Sequence, residues 1–308
     1  MPSSRQNKPR RTIKQNSKLV LPVIAVCSVV VAACVAFGSP LLWSPARQPQ
    51  PDNTAPSQDE AVLSVLEGAN DSPNSTDMVV ISEGKTISQS EDANRATNLS
   101  LAVAAINNKE IKPGETFSFN SVVGDTENDG TYQIAPVVFG GQMTTARGGG
   151  ICQVSTALYI AGLKADMEVV ERHPHSIVTD YAPIGLDATL VYGVMDLQLK
   201  NTSEYPIYIY AEAVGQSVTV KLVGHPLKQG YTIDAVSQIA DRYADPNQQQ
   251  DASTNASSST TVFYIVDSYR MYYQDGVKVG QQYLSTDTYE VNESSVVTST
   301  EGGFSPTK

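Results

Sequence analysis

The sequence predicts an α+β fold: an N-terminal transmembrane anchor, a compact domain in which a cysteine-bearing helix packs on a mainly antiparallel sheet, and a small β-rich C-terminal tail. Three observations predict it: a charge-free apolar stretch from Leu19 to Phe37, a glycine run at Gly148 to Gly150 that opens into helical apolar periodicity, and a series of short extended segments downstream. With 308 residues and 41% hydrophobics, the chain suits one folded domain with appendages.

Residues 1–18 carry Arg5, Lys8, Arg10, Arg11, Lys14 and Lys18 with no acid, and read as a cytoplasmic basic segment. The apolar segment, taken as 19–38, is close to the ~20 residues a helix needs to cross a bilayer, and the preceding bases place everything after it outside the cytoplasm. A lipoprotein signal ending at Cys34, after Val31-Ala32-Ala33, is the lesser alternative, because apolar sequence continues through Phe37. Beyond residue 18 the chain holds 15 of its 21 bases against all 32 acids. Such a surface repels phosphate backbones and argues against nucleic acid as a partner. Residues 39–87, rich in Pro, Ser, Gln, Asn and Asp, read as a disordered stalk.

The main domain is expected over 88–225. Ala96, Leu99, Val103 and Ile106 recur at helical spacing, and Pro113-Gly114 closes the exit loop. Thr116 to Asn120 alternates as a strand, Val137 to Phe139 suggests another, and Gly140-Gly141 a turn. After the glycines, Ile151, Val154, Leu158, Ala161 and Ala165 share one helix face, while Cys152, Thr156 and Tyr159 share another. Strands are expected at Met167 to Glu171, His175 to Thr179, Ala188 to Tyr192, Leu197 to Leu199, Ile207 to Ala211 and Val218 to Val223. In 226–308 the polar run from Gln248 to Ser259 reads as a linker, and Asp275-Gly276 between two apolar runs signals a hairpin that packs on the main domain or forms a small accessory unit.

Five blocks, Pro113-Gly114-Glu115-Thr116-Phe117-Ser118-Phe119-Asn120, Gly148 to Thr156, His173-Pro174-His175-Ser176, Gly185-Leu186-Asp187-Ala188-Thr189 and Asp196 to Asn201, together resemble the VanW family over roughly Ser88 to Gly224. The resemblance implies a surface protein of mainly Gram-positive bacteria, a cell-envelope setting close to peptidoglycan, and a link to glycopeptide (vancomycin) resistance. It supplies no reaction.

The chemistry comes from the residues. Cys152 is the one cysteine outside the N-terminal apolar segment, so an internal disulfide in the exported part is excluded. A helix N-terminus presents about half a positive charge and lowers the pKa of a thiol placed there. The glycines leave N–H groups free for an oxyanion, with Gly150 and Ile151 as the expected donors. His175 is the expected base and Asp187 its orienting carboxylate, with His173 and Asp196 in reserve. This order of Cys, His and Asp matches papain-like and transglutaminase-like folds, although only 22 residues separate Cys152 from His175.

Plainer roles stand beside these: Cys152 as a small buried hydrophobe, the histidines as internal hydrogen-bonding groups, Asp187 as a turn residue, Asp196 at a strand edge. Cys152, His173, His175 and Asp187 lack paired metal-ligand spacing, so no metal or other cofactor is expected. Two functional readings follow. One is a cysteine peptidase, amidase or transpeptidase-like enzyme acting on the peptidoglycan peptide. The other is a non-catalytic module that recognises wall peptides or another envelope component.

Overall fold

The computed structural model describes residues 78–139, 142–228, 230–244 and 261–292. The expected anchor, Cys34, nearly all of the stalk, the Gly140-Gly141 turn and the 248–259 linker lie outside them. Among the described residues no helix is long and apolar enough to cross a membrane.

In chain order the elements are β1 (Val79–Ile87), α1 (Ala93–Ile106), β2 (Glu110–Ile111), β3 (Thr116–Ser118), α2 (Phe119–Val123), β4 (Ile134–Phe139), β5 (Gln142–Arg147), α3 (Ile151–Lys164), β6 (Glu168–Glu171), β7 (Gln198–Lys200), β8 (Ile207–Val214), β9 (Ser217–Gly224), β10 (Tyr231–Ala244), β11 (Thr261–Gln274) and β12 (Val277–Asn292). They form a four-stranded sheet β1-β9-β8-β2, two three-stranded sheets β3-β7-β6 and β10-β11-β12, and the β4-β5 pair. The pairings between these strands are antiparallel. The architecture is α+β.

Helix α1 starts where Asp92 Oδ1 accepts the Arg95 amide at 2.7 Å, and it buries Leu99, Ala102, Val103 and Ile106. These side chains join Leu158 and Leu163 of α3 and the inward residues Ile209, Val218, Val220 and Leu222 of the main sheet in one core. The expectation for both helices is met.

The ordered domain begins earlier than expected. Residues 79–87, assigned above to the stalk, form β1 and pair along β9 from Val79–Gly224 to Ile87–Ser217. The buried side of this strand is Ser82, Gly84 and Thr86 rather than large apolar residues, because α3 lies almost in contact with it. Ser82 Oγ donates to Ala161 O at 2.8 Å and Thr86 Oγ1 to Gln153 O at 3.2 Å. A Cβ on Gly84 would overlap the carbonyl of Ala157 and stand 2.8 Å from the Ala161 nitrogen. Close backbone approach replaces apolar alternation here, so hydrophobic periodicity is silent.

Two expected strands, 175–179 and 188–192, are irregular instead, with only a parallel bridge from Ile177 to Glu290 and an antiparallel one from Val191 to Met195. The His175 amide and both backbone groups of Ala188 bond to side chains of the site, and the Thr189 amide donates to His173 O, so no ladder forms. The strand at Thr116 ends at Ser118, whose Oγ accepts the Ser121 amide at 3.1 Å and starts α2.

The C-terminal part is larger than a hairpin. β10, unforeseen, joins β11 and β12 in a sheet of long strands whose inward Tyr231, Ile233 and Tyr272 form their own small cluster. This sheet is tied to the main domain: Ser268 Oγ donates to Gly185 O at 2.9 Å, Arg270 Nη2 to Met167 O at 2.7 Å, and the Glu290 amide to Ser176 O at 2.7 Å.

Candidate functional site

The glycine run is held rigidly before α3 begins. The Gly148 amide donates to Gln133 O at 3.0 Å, and the fully buried Asn98 of α1 donates from Nδ2 to both Gln133 O and Gly149 O at 2.9 Å. Gly150 then caps the helix with φ of 105°, a left-handed conformation that excludes most side chains. Cys152 follows as the second helical residue. Asn98 was not predicted from the sequence, since a polar residue in an amphipathic helix normally points to solvent.

Two hydroxyls of α3 bring the Asp187 segment alongside the cysteine. Ser155 Oγ donates to Ala188 O at 2.7 Å, and Thr156 Oγ1 accepts the Ala188 amide at 3.0 Å. Thr189 Oγ1 consequently lies 3.8 Å from Cys152 Sγ. Asp187, 1% exposed, accepts from His175 twice through Oδ2, from the amide at 2.7 Å and from Nδ1 at 2.5 Å. With Nδ1 fixed on the carboxylate, Nε2 is directed away from it and meets the Tyr181 hydroxyl at 3.3 Å.

The electrostatics link the three groups. Burial pushes the Cys152 thiol up, but hydrogen bonding and charge from His175, with help from Leu190 and Thr189, more than offset this and hold it below an ordinary thiol. Burial pushes His175 down, yet its hydrogen bonds to Asp187 and to Cys152 carry it up to about 9. Burial likewise opposes ionisation of Asp187, and His175, Arg172 and Tyr289 overcome that and lower its pKa. The shifts run in the direction of an ionised thiol, a protonated imidazole and an ionised carboxylate.

The remaining expected residues fall elsewhere. The Ile151 amide, expected to face an oxyanion, donates to Gly148 O at 3.2 Å, because the chain closes a tight turn before the helix. The amides of Gly150 and Cys152 have no backbone carbonyl partner among the described residues. His173 points to Glu171, with Nε2 to Oε1 at 3.0 Å. Asp196 accepts Ser118 Oγ at 2.5 Å and the Asn120 amide at 2.8 Å, so it fixes the start of α2. Arg95, 7% exposed, lies against Gly150 and stacks over the Tyr181 ring at 5.9 Å. Among the described residues no group of three or more His, Cys, Asp or Glu side chains is placed to hold a metal ion.

Fold and geometry thus define an α+β domain in which a thiol at a helix start lies beside Thr189 of the Asp187 segment, and the buried Asp187 carboxylate holds the His175 imidazole. Residues 94–223 match the family model described as VanW like protein, so this segment is a VanW-like domain. It is 39% identical over 137 residues to the uncharacterized protein YoaR of Bacillus subtilis, covering 44% of this chain and 45% of that one. It is 35% identical over 123 residues to the vancomycin B-type resistance protein VanW of Enterococcus faecalis, covering 38% of this chain and 45% of the relative. The chain therefore spans less than half the length of the curated relatives it matches. No solved structure matches it.

Proposed function

We propose that this VanW-family chain is a membrane-anchored, extracytoplasmic enzyme that uses Cys152 for acyl transfer or hydrolysis at an amide of the peptidoglycan peptide. The observation that supports it best is the 2.5 Å pairing of His175 with the buried Asp187, on a segment whose Thr189 lies 3.8 Å from the Cys152 sulfur at the start of α3. The apolar 19–38 segment after a basic stretch supports the anchor, and the name of the Enterococcus relative supports a link to vancomycin resistance.

In this reading the Cys152 thiolate attacks the carbonyl carbon, forming a C–S bond while the carbonyl oxygen takes the electron pair. The Gly150 and Cys152 amides are the donors available to that oxyanion. As the C–N bond breaks, His175 gives its proton to the departing amine. Water, or a second amine, then attacks the thioester carbon and gives its proton to His175. The C–S bond breaks, the acid or new amide leaves, and Cys152 is returned as thiolate beside a protonated His175. Asp187 keeps the imidazole in the tautomer and orientation that both transfers need.

The test is incubation of the full chain with purified stem peptides, read by mass spectrometry. A released or exchanged residue, together with an acyl adduct on Cys152 that is lost in Cys152→Ala, is the expected result. Tight peptide binding with no adduct and no product would refute catalysis and leave the recognition module as the function.

A further inference from the structure

Residues 94–223 carry the family match, yet Asp187 is completed by a strand far beyond it. Tyr289 of β12 donates from its hydroxyl to Asp187 Oδ1 at 2.5 Å and accepts the Gly185 amide at 3.1 Å. Arg172 lies between the two parts: Nη2 reaches Asp187 Oδ1 at 3.3 Å, Nε donates to Asp187 O at 2.7 Å, and Nη1 pairs with Asp287 of β12. All of these side chains are almost fully buried. Burying two carboxylates, a guanidinium and a phenol is unfavourable unless each is matched, and a hairpin that merely covered the domain would not require them.

We propose that Tyr289, supported by the Arg172–Asp287 pair, is a positioning residue for Asp187 and His175, so that the C-terminal sheet completes the site. This rests on the enzyme reading above. His175 bonds Oδ2 of Asp187, while Tyr289 and Arg172 occupy Oδ1. The two oxygens are therefore divided between function and support. Removing the Tyr289 hydroxyl leaves Oδ1 to Arg172 alone; the carboxylate is then free to rotate toward the fork of the guanidinium, and Oδ2 leaves Nδ1. The imidazolium loses its stabilising partner, and the sulfur loses its counterion.

The experiment is alkylation of Cys152 by iodoacetamide across pH, on the full chain, for the wild type and Tyr289→Phe. The expected result is a midpoint moved upward and a rate at pH 7 reduced about tenfold, the size of one charge-assisted hydrogen bond, on protein whose circular dichroism shows it still folded at the assay temperature. A wild-type midpoint well below ~8.5 that does not move in Tyr289→Phe overturns the inference and leaves the enzyme reading standing. A wild-type midpoint at or above ~8.5 overturns both. If Tyr289→Phe does not fold, Asp287→Asn probes the same chain from the Arg172 side, with the same two outcomes.

Discussion

Asp187 uses both carboxylate oxygens and carries three protein donors besides the imidazole, which is why its pKa stays low in a buried setting. A depressed carboxylate pKa stabilises the fold above the ordinary ~3.9 and loses that contribution as pH falls through the folded value, so acid unfolding should begin here. His175 has the opposite sign: its stabilisation is complete below ~6.5 and is lost as pH rises through about 9. The thiol reports on the pair. Alkylation of Cys152 should rise through a midpoint below ~8.5 and rise again near 9, when His175 loses its proton and frees the sulfur. In His175→Ala burial acts on the thiol without a counter-charge, so a single step at or above ~8.5 is expected. An unchanged profile in that variant would show that the two side chains do not interact. Cys152, His175 and Asp187 were legible because each stands in a short polar or glycine-rich block; Asn98, Arg95 and Arg172 were not, since nothing in a lone helical or strand-edge residue announces a distant partner.

At the scale of elements, the position of α3 depends on β1 having almost no side chain where the two meet. Substitution Gly84→Ala sets a methyl group against backbone atoms of Ala157 and Ala161, which cannot move aside as a side chain would. The helix must lift, and a loss of ~1–3 kcal/mol is expected from urea unfolding. A neutral result would mean that helix and strand stand further apart. The same feature explains an error in reading the sequence. Strands β8 and β9 alternate buried apolar residues and were legible, whereas β1 buries serine, glycine and threonine and looks like linker. The reverse happened at 175–179 and 188–192, whose residues favour strands but whose backbone is engaged by Asp187, Ser155 and Thr156. Local propensity gave way to site construction.

For the whole molecule, the acidic chain follows a short basic N-terminus and an apolar segment. In membrane fractions the full chain should resist alkaline extraction, and protease added outside intact cells should degrade the 78–292 part. A chain lacking residues 1–38 should appear in the soluble fraction; retention of that shortened form on membranes would show that the anchor lies elsewhere. The C-terminal sheet was only half legible: Asp275-Gly276 marked its turn, but β10 takes its pairing from β11, and the docking contacts depend on partners about a hundred residues away.

Tyr289 has a further consequence for biogenesis. A ribosome makes Cys152, His175 and Asp187 about a hundred residues before the hydroxyl that braces them. If that brace arms the sulfur, a nascent polypeptide carries an idle thiol, protected from premature acylation until β12 has joined the sheet.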